Sequence, residues 1–249
     1  MKNFLLYDSL LFTNKPDLES FSFKKIKTVA PQLNFWELGA DIVKDFPSEI
    51  KTRELAANKS SSLIEDIYYI DIEQLPTGVN DLKLSWSESI VKLSAISNWL
   101  KNERNNFKFG FYDILPQREY WNRSQQWKDR NSYFLPLANF VDFVAPSLYT
   151  FYNDPVGWSA YAIDNINEAK KYNKPIYPFI WPQYHESSAL KGQLINGDYW
   201  RSQLEIVLNY ADGVIIWGGN TYDWATSTST TDNNNWWFQT LDFINSNGL

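Results

Sequence analysis

Seven short runs of β-branched and aromatic residues alternate with stretches of helical spacing, and this alternation constrains the fold more than any other feature of the sequence. The runs occupy 4–8, 32–37, 67–73, 107–113, 141–149, 175–181 and 213–219, and each reads as a strand. Between them, apolar residues recur at helical spacing. Trp86, Ile90, Leu93, Ile96 and Leu100 form one long stripe, and Trp200, Leu204, Val207, Leu208 and Ala211 form another. Helices are also expected over 16–29, 47–57, 118–140 and 158–172, with a last one carrying Trp237, Leu241 and Ile244. Strands alternating with helices imply a parallel sheet covered by helices. At 249 residues, closure into a barrel is the natural form. An open doubly wound sheet is the alternative, but no Gly-rich phosphate loop follows the first strand. The expected fold is an α/β, TIM-type (β/α) barrel, seven-stranded and somewhat irregular. No repeat or linker divides the sequence, so a single domain over 1–249 is expected.

The run Ile67-Tyr68-Tyr69-Ile70-Asp71-Ile72-Glu73 is unusual because it ends in two carboxylates. Strand side chains alternate, so Tyr69, Asp71 and Glu73 project to one face while Tyr68, Ile70 and Ile72 project to the other. Two neighbouring acids on a half-buried strand are costly unless one keeps its proton or both find partners. Such a pair suits glycoside cleavage, where a carboxyl of raised pKa protonates the leaving oxygen. The plain alternative is a strand running into solvent with both acids hydrated. Other strand ends carry polar and aromatic groups too: Asp8, Glu37, Asp113, Tyr149, Trp181 and Trp217 all stand at or just past C-terminal tips, with Tyr112 beside Asp113. In parallel barrels that rim holds the active site.

Composition narrows the chemistry. There is no cysteine, which excludes disulfides and thiolate catalysis, and a single histidine, His185, leaves no histidine-rich metal site. No metal or cofactor is expected. His185 follows Trp181 and Tyr184 in a loop and reads as a surface or substrate-contact group. A net charge of -6 argues against nucleic acid and against an anionic membrane surface. No run reaches the roughly 20 apolar residues of a membrane helix, so membrane insertion is not expected. The first residues lack a small-residue cleavage site and do not read as a signal peptide, which leaves the compartment open. Aromatic residues make up 17% of the chain, with 12 Trp, a surplus that suits stacking against sugar faces as well as core packing.

Taken together and in order, four strand ends resemble the hyaluronidase family of glycoside hydrolases (family 56): Tyr69-Ile70-Asp71-Ile72-Glu73, Phe109-Gly110-Phe111-Tyr112, Pro146-Ser147-Leu148-Tyr149, and Gly213-Val214-Ile215-Ile216-Trp217-Gly218. Tyr177-Pro178-Phe179-Ile180 looks like that family's sixth strand. The resemblance implies a seven-stranded barrel in which Glu73 is the general acid and Asp71 orients the substrate's N-acetyl group. Tyr149 and Trp217 would line the pocket around that group, with Tyr69, Tyr112, Asp113, Trp181, Asp8 and Glu37 as further substrate-binding candidates. The reaction implied is retaining and substrate-assisted, with the acetamido oxygen attacking the anomeric carbon. The charge on Asp71 would stabilise the oxazolinium and raise the proton affinity of Glu73.

The chain departs from the family where Gln74-Leu75-Pro76 replaces a Trp-Arg-Pro segment, and Asp113 stands where a glycine is usual. The family's disulfides are absent. A neutral N-acetylglucosamine polymer is therefore as fitting a substrate as hyaluronan. The expectation is an endo-β-N-acetylhexosaminidase acting as a monomer on a polysaccharide or oligosaccharide. A non-catalytic carbohydrate-binding barrel and a muramidase using Asp71 and Glu73 are the alternatives.

Overall fold

The computed structural model describes residues 3–28, 46–58, 67–72, 75, 83–103 and 108–249. Within them lie six strands: β1 (Leu5–Leu10), β2 (Phe23–Thr28), β3 (Ile67–Ile70), β4 (Lys108–Phe111), β5 (Phe179–Ile180) and β6 (Gly213–Gly218). The helices are α1 (Glu49–Asn58), α2 (Lys83–Glu103), α3 (Gln125–Tyr133), α4 (Pro155–Ala169), α5 (Gly197–Tyr210), α6 (Trp224–Ser227) and α7 (Trp236–Asn247). All strand pairs are parallel, in the hydrogen-bonded order β4-β3-β2-β1-β6-β5. That order sets β1, β2, β3 and β4 side by side in sequence order, with β6 and then β5 on the other edge of β1. It is the order of a (β/α) barrel and not of a doubly wound sheet, which reverses at a switch point.

The chain divides into two compact units. The first, residues 1–25, 147–167 and 176–249, contains β1 set between β6 and the start of β2, with β5 outside β6. β6 is buried along nearly its whole length, which is why its sequence is an unbroken apolar run and not an alternating one. Gly213 opens it because a Cβ there would lie 2.5 Å from the Leu5 carbonyl oxygen. Behind the strands, Trp200, Trp236 and Phe243 are fully buried, and Trp200 Nε1 donates to Thr240 Oγ1 at 2.9 Å, tying α5 to α7. Asn196 caps α5 by accepting from Asp198 N, and Asn235 caps α7 by accepting from Trp237 N.

The second unit, residues 26–146 and 168–175, contains the end of β2 with β3 and β4, registered Ile26 to Ile67 and Ile67 to Lys108. Leu93, Ile96 and Leu100 are fully buried, so the stripe expected for α2 is its core face. Trp127 of α3 is buried and donates through Nε1 to Gln117 O at 2.8 Å.

Several expectations change. The helix anticipated over 16–29 is instead a single 3-10 turn, Glu19–Phe21, followed by β2. Ser22 takes a left-handed conformation with φ 68° and ends the turn. Phe23 and Ile26 are buried while Lys24 and Lys25 are exposed, a spacing of three that imitates a helix. The strand anticipated over 32–37 lies outside the described residues. Over 141–149 the chain is extended but forms isolated bridges and no continuous strand. In the second unit Tyr112 pairs with Ala145, and Asp142 N donates to Phe109 O; in the first, Ser147 pairs with Phe179. The helix anticipated over 118–140 is α3 plus a 3-10 turn at Leu135–Asn139.

Candidate active site

In the first unit three aromatic side chains meet where β5, β6 and the segment 147–150 end. Trp217 is the next-to-last residue of β6, in register with Ser9. Trp181 directly follows β5. Tyr149 sits on a segment clamped from α4: Tyr161 donates its hydroxyl to Ser147 O at 2.6 Å, and Trp158 Nε1 donates to Leu148 O at 3.0 Å. The ring of Tyr149 lies 5.5 Å from Trp181 and 5.8 Å from Trp217, and the two indoles stand edge to face at 4.7 Å. The sequence-predicted Tyr149, Trp181 and Trp217 thus form one cluster.

Two further rings join it. His185 stacks on Tyr149 at 6.0 Å and lies 4.7 Å from Phe151. Its Nδ1 accepts from Ser187 N at 3.1 Å, which in the neutral ring leaves the proton on Nε2. Phe151 is a member that sequence reasoning missed, and its signal is alternation with Tyr149 on a segment whose pairing is long-range. The Trp181 indole N–H is buried and has no hydrogen-bond partner among the described residues. Rings arranged edge to face around a polar donor suit the apolar face and hydroxyl edge of a sugar.

Asp8, also in this unit, is buried and already matched: Lys15 pairs with its carboxylate and Leu10 N donates to it at 3.0 Å. Beneath it, Tyr7 lies 5.0 Å from Tyr177, and burial, then the neighbouring Tyr177, push the Tyr7 hydroxyl well above its ordinary pKa. Burial likewise raises Tyr184, whose hydroxyl donates to Asn153 Oδ1.

In the second unit the C-terminal ends of β3 and β4 carry the other candidates. Tyr68, Tyr69 and Ile70 are all buried, and Asp71 follows directly, half-buried. Glu73 and Glu37 lie outside the described residues. Tyr112 is buried, and its N–H donates to Ile70 O at 2.9 Å. Asp113 has φ 52°, the left-handed conformation a glycine adopts freely, and Arg118 pairs with its carboxylate. Gln117 Nε2 donates to Asp113 O, and Asp113 N donates to Ala145 O, so this turn is anchored on three sides. Among the described residues no group of His, Cys, Asp and Glu could hold a metal ion, and no helix is long and apolar enough to cross a membrane.

No protein family profile matches this chain, and no curated protein sequence does. Solved structures do resemble it. The crystal structure of bee venom hyaluronidase superposes with a TM-score of 0.65 at 14% identity, covering 98% of this chain and 97% of that one. The same enzyme in complex with a hyaluronic acid tetramer gives 0.67 at 13% identity, covering 97% and 96%. A candidate alpha-L-fucosidase from Bacteroides thetaiotaomicron gives 0.54 at 14% identity, covering 98% of this chain and 80% of that one. At these identities the likeness is one of fold: this chain has the α/β fold of bee venom hyaluronidase over nearly its whole length.

Proposed function

We propose that this chain is a glycoside hydrolase, a single seven-stranded (β/α) barrel domain acting as a monomer, that cleaves an N-acetylhexosamine-containing polysaccharide with retention. The observation that carries this reading is the aromatic cluster of Tyr149, Trp181 and Trp217 at strand ends, in a fold shared with a hyaluronidase over 98% of the chain. Glu73 protonates the glycosidic oxygen while the acetamido carbonyl oxygen of the same sugar attacks its anomeric carbon. The bond to the leaving oxygen breaks and an oxazolinium forms, with Asp71 holding the acetamido N–H and balancing the positive charge. Water then returns its proton to Glu73 and adds its oxygen to the anomeric carbon, reopening the ring with the original configuration. The attacking group is part of the substrate and already held in place, an arrangement worth about 7–11 kcal/mol at best in effective molarity.

The test is a panel of hyaluronan, chondroitin, chitin oligomers and peptidoglycan with product analysis, run with wild type, Glu73→Gln and Asp71→Asn. General acid catalysis contributes about 10²–10⁴-fold, so each variant should lose at least about 10²-fold in kcat on the cleaved glycan. Activity within tenfold of wild type would remove both residues from these roles. Saturable binding without new reducing ends would make the protein a carbohydrate-binding barrel. Release of muramic-acid reducing ends would make it a muramidase.

A further inference from the structure

Between β4 and α3 the chain turns through Tyr120-Trp121-Asn122-Arg123-Ser124. Asn-x-Ser is the acceptor pattern for N-linked glycosylation, and the chain holds it twice, here and at Asn58-Lys59-Ser60. The fold separates the two. Asn58 is the last residue of α1, and Ser60 lies outside the described residues. Asn122 is exposed, and its carboxamide makes no hydrogen bond among the described residues. Ser124 is the N-cap of α3, yet its hydroxyl makes no capping bond to that helix, as an N-cap serine usually does. The amide and the hydroxyl of the pattern are thus both uncommitted, while the backbone that carries them is held. Glu119 Oε1 accepts from Trp121 N at 3.0 Å and from Asn122 N at 3.1 Å. The Arg123 guanidinium donates to Tyr120 O, and Ser124 N donates to Asn122 O at 2.7 Å. Next to the acceptor, Trp121 is 69% exposed, with its indole 4.7 Å from the Tyr120 ring.

We propose that Asn122 is the acceptor of an N-linked glycan whose first sugar lies across the Trp121 indole. The donor is a polyprenyl-diphosphate-linked oligosaccharide with N-acetylglucosamine at its reducing end, presented by an oligosaccharyltransferase. Asn122 Nδ2 attacks C1 of that sugar. A C1–N bond forms as the C1–O bond to the diphosphate breaks; the diphosphate leaves with the electron pair, and the amide proton passes to a carboxylate of the transferase. The transferase reads the Ser124 hydroxyl two residues on, which α3 leaves unused. At Asn58 the acceptor sits in helical backbone, and engaging it requires the last turn of α1 to open. Once attached at Asn122, the sugar covers apolar surface that the indole otherwise presents to water. Asn122 belongs to the second unit, and its modification does not depend on the sugar-cleaving reading.

The test takes the full folded chain from a bacterial host that lacks the transferase. It is incubated with a purified single-subunit oligosaccharyltransferase and the lipid-linked oligosaccharide, and read by intact mass and peptide mapping. Asn122 should be modified at least about tenfold more than Asn58. Asn122→Gln should abolish that modification, and so should Ser124→Ala, which should melt like wild type because the hydroxyl caps nothing. The glycosylated chain should melt at least about 2 °C above the unmodified one. Trp121→Ala should erase that gain while Asn122 is still modified. No modification at Asn122, or equal modification at Asn58, overturns the acceptor. No gain in wild type, or a gain that survives Trp121→Ala, overturns the seat of the sugar on the indole.

Discussion

Replacing Tyr161 with Phe isolates the clamp that holds the Tyr149 segment. Tyr161 is fully buried, and its hydroxyl donates to Ser147 O at 2.6 Å. The substitution removes one oxygen and leaves the ring, so almost no cavity forms, and the cost is that of depriving a buried carbonyl of this donor. Such losses run about 1–3 kcal/mol. With about 2 kcal/mol as the expected value, and a shift of about 2–4 °C per kcal/mol for a domain of this size, Tm should fall about 4–8 °C. Urea unfolding should show a lower midpoint at unchanged slope, because the surface exposed on unfolding is the same. Trp158→Phe removes the adjacent donor to Leu148 O and also opens a cavity at a fully buried site, so it should cost about 3–5 kcal/mol. The two donors grip successive carbonyls, and the double variant should therefore be non-additive by at least about 0.5 kcal/mol. A Tyr161→Phe protein within about 0.5 kcal/mol of wild type would refute the clamp.

Gly110→Ala in β4 should destabilise by at least about 1–3 kcal/mol, since the new methyl group would sit 2.7 Å from the Phe143 carbonyl oxygen, which backbone cannot yield cheaply; a melt matching wild type would contradict that close approach. Tyr7→Phe should flatten the alkaline loss of stability. Burial, and then Tyr177, hold the folded Tyr7 hydroxyl protonated above 10.0, where the unfolded chain has begun to lose that proton, so the unfolded state binds fewer protons and wild-type stability falls as pH rises past 10.0. One such tyrosine contributes up to about 1.4 kcal/mol per pH unit, so urea midpoints at about pH 9 and about pH 11 should converge in the variant, and an unchanged slope would rule Tyr7 out as a source.

Where local pattern and burial coincide, the sequence was readable. β3, β4 and β6 lie inside their anticipated runs because each is buried on both faces and written in β-branched and aromatic residues, while β1 continues two residues past its anticipated end at Asp8. β2 was not readable. Its buried Phe23 and Ile26 are three apart, and what makes it a strand is pairing with Leu6 on one side and Ile67 on the other, residues the local pattern does not reveal. The site shows the same division. Tyr149, Trp181 and Trp217 announced themselves by standing at strand ends. Phe151 did not, because it stands two residues past the anticipated run, and only the long-range bridge of Thr150 to Tyr184 brings it against His185. Asp113 stands just past the end of β4, whereas Asp8, expected at the tip of its strand, lies inside β1, and the ion pairs of the two with Arg118 and Lys15 depend on loop paths that no short-range pattern encodes.

The placement of β1 beside β6 also bears on biosynthesis. Leu5 pairs with Gly213, and Thr13 hydrogen-bonds to Asp223 across 210 positions of sequence. At about 5–20 residues per second, the opening strand leaves the ribosome roughly 10–40 s before its neighbour exists. During that interval an apolar segment with one unsatisfied edge must be kept from pairing with other nascent chains. Charged neighbours such as Lys15, Lys24 and Lys25, and chaperones where available, are the means to do so. Slow translation between β2 and β6 would lengthen that exposure and lower the yield of folded protein.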